Sequence, residues 1–148
     1  MDRKPEVEKL VEGDRVYFTI GWSRLKKADK YDIVRSVPSE AGVYELYTLD
    51  EKGKLNLFHL GKSWYGGLRN EIRVRTDPGL EDDATRKAIL AEADCWYRWT
   101  LVSNSDDMAD ILWFFARSAF PHRTDIHPSG RYSSVFVKEV DADKIVTI

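Results

Sequence analysis

An α/β fold of the α+β type, with a small, mainly antiparallel three-stranded sheet flanked by helices, is what this sequence predicts. Three observations predict it. Two strand-like runs between Gly42 and Gly61 are joined by a glycine-bearing turn. An aromatic, β-branched run from Trp96 to Val102 reads as a third strand, and a run from Met108 to Phe120 has helical period. With 148 residues, the chain is expected to fold as a single domain, 1–148. Within it, 1–36 reads as an N-terminal extension, about 37–121 as the core and 122–148 as a C-terminal extension.

Residues 1–13 are polar and end at Gly13, after which Val16 to Ile20 reads as a short strand. Lys26 to Val34 has weak helical character. Val37-Pro38-Ser39-Glu40-Ala41-Gly42 is a turn. Val43 to Leu49 then alternates, with Val43, Glu45 and Tyr47 on one face and Tyr44, Leu46 and Thr48 on the other. Asp50 to Lys54 carries Gly53, which supplies the positive φ that a hairpin connection needs. Leu55 to Leu60 is the returning strand. A basic helix follows from about Leu68 to Arg75, stopped by Pro78-Gly79, and a second helix spans Asp83 to Ala93. The long helix places Met108, Ile111, Leu112, Phe115 and Ala119 on one stripe and ends at Pro121. Val135 to Val137 is a last short strand.

The single cysteine, Cys95, excludes an intramolecular disulfide, and no paired Cys/His spacing suggests zinc. Charges recur every two or three positions in the early sequence, and nowhere does an apolar run reach the roughly eighteen residues of a membrane span. A cytoplasmic chain with no membrane role is expected. A net charge of −2 argues against a protein that coats nucleic acid by bulk charge. Locally, however, Lys52, Lys54, Lys62, Arg69, Arg73 and Arg75 stand against Glu51 and Glu71, which suggests a basic face.

Gly42-Val43-Tyr44 on the first strand, His59-Leu60-Gly61 on the second, and the order hairpin, basic helix, strand, long helix, proline resemble the core of the GIY-YIG nucleases. That family opens with Gly-Ile-Tyr and Tyr-Ile-Gly on a small antiparallel sheet. Its motif continues as Gly61-Lys62-Ser63, and its helix arginine, eight residues beyond the glycine, falls on Arg69. The resemblance spans roughly residues 37–121.

The resemblance implies a metal-dependent endonuclease acting on DNA with Mg²⁺ or Mn²⁺. Tyr44 would orient the attacking water, His59 would replace the second tyrosine, and Arg69 would clamp the scissile phosphate. Imidazole, with an ordinary pKa near 6.5, suits general-base work better than a phenol near 10. Lys62 and Arg73 would bind backbone phosphate, and Trp64 and Tyr65, in the loop before the helix, would contact nucleic acid. The phenol, the imidazole and the guanidinium must then converge on one pocket. The aromatic residues Trp96, Tyr97 and Trp99 read as core.

The metal carboxylate is the main departure. The family carries a glutamate on the long helix before the proline, where this chain has Leu112 or Trp113, depending on the alignment. Asp110, one turn away from Trp113, is the nearest acid and the expected ligand. A catalytically silent GIY-YIG-like domain that binds nucleic acid or protein is the second reading, and a coincidental hairpin in an unrelated interaction domain the third. The chain shows no separate sequence-reading module, so specificity is expected from loops, from the N-terminal residues or from a protein partner.

Overall fold

The structure is a computed structural model that describes residues 4–140. The described residues form four helices and two sheets. The hairpin expected from sequence is β4 (Gly42–Leu49) against β5 (Leu55–Ser63). Asp50 builds its turn by accepting the Lys52 and Lys54 amides at 2.8 and 2.9 Å, while Gly53 takes φ 76°. Beyond the hairpin come α2 (Gly67–Arg75), α3 (Ala84–Glu92), β6 (Cys95–Leu101) and α4 (Ser105–Ala119), in the order read from the sequence.

The central sheet has four strands, not the three expected, in the order β3-β6-β4-β5. The extra strand, β3 (Lys26–Lys27), is only two residues long and charged, so no periodicity reveals it. It begins the stretch expected to be weakly helical. The helix itself, α1 (Lys30–Ser36), starts only after Asp29, whose carboxylate caps the Tyr31 and Asp32 amides.

A second sheet joins the two segments expected to be extensions. It contains β1 (Val7–Glu12), β2 (Arg15–Gly21) and β7 (Ser134–Val140), in the order β1-β2-β7, with β2 and β7 parallel. The strand β1 escapes a sequence reading because all but its first residue are exposed, so it has no buried face to alternate with. Residues 1–3 and 141–148 of the expected extensions lie outside the described residues.

Both faces of the central sheet are covered. On one, β2 and α4 bury Phe18, Ile20, Met108 and Ile111 against Val43 and Leu60. On the other, Tyr44, Leu46 and Tyr97 pack with Leu68 and Ile72 of α2, Ile33 of α1 and Leu90 of α3. Trp99 packs against this second core, and Tyr97 is 1% exposed, so the aromatic strand β6 supplies core. Among the described residues no helix is long and apolar enough to cross a membrane.

Candidate functional site

The open edge of the central sheet is β5, and a cleft of about 480 Å³ runs along it. Its walls come from α2, α3, α4 and the segment after Pro121. Two local devices place Tyr44 and His59 there. Register is the first. Between Leu46 and Tyr47 the pairing shifts, so that Leu46 faces His59 while Tyr47 faces Leu57, and Phe58 is the extra residue of a β-bulge. Continuing the pairing from the turn without this bulge would set His59 opposite Glu45, on the opposite face of the sheet. With the bulge, His59 and Gly61 share the face of Tyr44.

Close approach is the second device. Tyr44 is paired directly with Gly61, and a Cβ on Gly61 would lie 2.5 Å from both Cζ and Oη of Tyr44. Glycine is required there because the phenol ring lies across its backbone. A Cβ on Gly42 would likewise meet the Thr100 carbonyl oxygen at 2.2 Å and Leu68 Cδ1 at 2.6 Å, where α2 closes on the sheet.

The Tyr44 hydroxyl is the hub of the site. It donates to Glu71 Oε2 at 2.6 Å and lies 3.0 Å from His59 Nε2. Glu71 also accepts from Arg75 Nε at 3.3 Å, and Arg75 continues to Glu81 at 2.6 Å. Glu81 is buried and accepts from Arg86 Nε at 3.1 Å. Burial alone would raise the Glu81 carboxyl, but hydrogen bonds from Arg86 and the Asp83 amide, together with both guanidinium charges, hold it down at about 2. Burial pushes the Tyr44 phenol well above its ordinary value, and the neighbouring Glu71 charge adds to the rise. His59 goes the other way, down to about 4, through burial and then the charges of Arg86 and Arg123.

The predicted site residues do not all meet. Tyr44, His59 and Lys62 line the cleft. Arg69 does not: its Nε donates to the Val37 carbonyl at 2.7 Å, on the side of α2 turned toward α1. Glu71 is two residues on, about 200° round a helix, so a residue beside Tyr44 excludes its neighbour at 69 from the same side. Arg69, expected as the phosphate clamp, therefore stands outside this cleft, and Arg75, Arg86 and Arg123 are the guanidinium groups lining it. Arg73 also lies outside this lining, donating to Asp77 at 2.8 Å one turn on. Trp64 lines a second cleft of about 520 Å³ with Lys4 and Lys9, and Tyr65 is 90% exposed.

Asp110 is corrected as a metal ligand. It is 1% exposed and accepts from the Ser129 amide at 2.7 Å, Ser129 Oγ at 2.8 Å and Arg131 at 2.8 Å. The neighbouring positions Ala109 and Leu112 are what α4 presents to the cleft. The cleft's carboxylates are Glu71, taken up by Tyr44 and Arg75, and Asp125, paired with Arg123. No group of three His, Cys, Asp or Glu among the described residues could hold a metal ion. Both carboxylates of the cleft are engaged by cations, so neither stands free as an oxygen ligand for Mg²⁺ or Mn²⁺.

Sequence reasoning missed Glu71 and Arg75 as site residues. Their spacing of four, with Glu first, was the available signal, since it places an ion pair on one helix face. Compared with known proteins, residues 6–148 match one family, whose description reads "Uncharacterised protein". No curated protein and no solved structure matches the chain.

Proposed function

The chain belongs to that uncharacterised family, whose description names no activity, and we propose from the geometry of the cleft that it is a divergent GIY-YIG-type domain acting on DNA phosphodiesters. The observation that carries this reading is the Tyr44 hydroxyl, shared between His59 and Glu71 inside a cleft rimmed by Lys62, Arg75, Arg86 and Arg123. Among the lining residues these four cations outnumber the two carboxylates, Glu71 and Asp125, while Arg75 and Arg86 are also paired with the buried Glu81. The cleft thus favours an anion, and guanidinium forks match phosphate oxygens in charge and shape. The hairpin, the two helices, β6 and α4 follow the order that prompted the resemblance.

In this reading the cationic rim seats the phosphate, and His59, neutral at physiological pH, takes the proton of the attacking water. A specific observation favours a second reading, that of a domain which binds DNA without cutting it. Where the family carries its metal-binding glutamate, α4 offers the cleft only Ala109 and Leu112.

Cleavage and binding of plasmid, branched and single-stranded DNA, with Mg²⁺, Mn²⁺ and EDTA in parallel, separate the two. Nicking that is lost in Tyr44→Phe supports the enzyme. Binding without nicking under every condition supports the silent domain. In either case Lys62→Ala should weaken binding to all sequences alike and lower the slope of log affinity against log salt by about 1. A chain that binds none of these DNAs at low salt overturns both readings.

A further inference from the structure

Counting protons at the Tyr44 hub fixes the state of the histidine. A phenol carries one proton. Glu71, ion-paired with Arg75, is an acceptor, and at 2.6 Å it accepts the hydrogen bond that spends the Tyr44 proton. The Tyr44 oxygen therefore has only lone pairs to offer His59, and a 3.0 Å contact to Nε2 is a hydrogen bond only when Nε2 carries the proton. We propose that Glu71 is a positioning residue which, acting through Tyr44, holds His59 with its proton on Nε2 and leaves Nδ1 as the nitrogen that accepts.

Three observations support the assignment independently of any substrate. The His59 and Tyr44 ring centroids are 5.5 Å apart, so the pair is packed as well as hydrogen-bonded. Tyr44 is fully buried, and the backbone of Gly61 lies against its ring, so the phenol oxygen is held in place between Glu71 and His59. Burial, and then the charges of Arg86, Arg123 and Arg75, disfavour a doubly protonated ring more than Glu81 favours it, keeping the imidazole neutral near pH 7. A neutral ring has one donor and one acceptor nitrogen, so fixing one fixes the other.

The catalytic meaning rests on the phosphodiester reading above. In that reaction water oxygen bonds to phosphorus and its proton passes to Nδ1. The leaving oxygen departs with the electron pair of the broken P–O bond and takes a proton from solvent. Tyr44 keeps its own proton throughout, donated in a hydrogen bond to Glu71.

Nitrogen NMR of the free protein tests the assignment, with the His59 signals told apart from those of His122 and His127 by a His59→Asn control. At pH 7 the wild-type ring should show a protonated, pyrrole-type Nε2 and a pyridine-type Nδ1. In Glu71→Ala the Tyr44 hydroxyl loses its acceptor and turns to donate to Nε2, so the two signal types should exchange. Glu71→Gln retains a carbonyl oxygen for Tyr44 and should restore the wild-type pattern. Glu71→Met repeats the test at nearly the original side-chain length should the alanine variant not fold.

A wild-type ring protonated on Nδ1, or a pattern unmoved by removing the acceptor at 71, overturns the assignment. A chain with the expected pattern that fails to bind DNA loses the phosphodiester reading alone. A DNA-cleaving chain with Nδ1 protonated loses the Glu71 assignment alone.

Discussion

His59 is a histidine that resists protonation, and its surroundings make that measurable. With its folded value at about 4 against an ordinary 6.5, the unfolded chain binds a proton over that interval which the folded chain refuses. Stability from this group is therefore complete above pH 6.5 and falls as the pH drops toward 4, by up to roughly 3 kcal/mol. Denaturant midpoints of wild type and His59→Asn should converge across that window. An anion in the cleft offsets Arg86 and Arg123, so a bound oligonucleotide should move the His59 titration upward, read by NMR. A downward or absent shift would place the anion elsewhere. Tyr44 and His59 were legible from the strand runs Gly42-Val43-Tyr44 and His59-Leu60-Gly61, and the two side chains do line one cleft. The placement of Arg69 was not legible, because an offset counted along the chain says nothing of helix phase. Arg69 and Glu71 are neighbours in sequence and point to different sides of α2.

At the scale of elements, the hairpin depends on the fit between Tyr44 and Gly61. Gly61→Ala puts a methyl group 2.5 Å from the phenol in a packed sheet, and overpacking of this kind costs about 1–3 kcal/mol. It should lower the melting temperature and also break the Tyr44–His59 hydrogen bond, which the NMR pattern would report. The loop after β5 invites a second test. Trp64 and Tyr65 are 43% and 90% exposed, and stacking of a base on an aromatic ring contributes about 1–3 kcal/mol. Under the DNA reading, Trp64→Ala or Tyr65→Ala should weaken single-strand affinity without changing the melting temperature, measured by fluorescence anisotropy. The strands β4 and β6 and the helix α4 were readable because each has a strong period. The bulge at Phe58 was not, since an extra residue is defined only by the partner strand, and neither was β1, whose exposed residues carry no pattern.

Across the molecule, a buried ionic cluster ties the two sheets together. Arg98 of β6 donates to Glu45 of β4 at 2.6 Å and to Glu139 of β7 at 3.0 Å. Tyr47 donates to the same Glu45 oxygen, Trp22 Nε1 donates to Glu139 at 2.7 Å, and the guanidinium lies 4.4 Å over the Trp22 ring. Removing one partner of such a pair strands a buried charge, so Arg98→Met should cost about 3–5 kcal/mol by urea unfolding. Glu45 and Arg98 face each other across adjacent strands, yet nothing in their sequence separation announces it. The parallel pairing of β2 with β7 carries a further consequence. Ser133 meets Asp14 across 119 positions, so the small sheet closes only after nearly all the intervening chain has been synthesised. Until then the β1–β2 hairpin packs on α4 and the central sheet but keeps an unpaired edge along β2 where β7 belongs. Refolding should be limited by this late ring closure, and a nascent chain halted before residue 134 should remain open to protease between Val7 and Gly21.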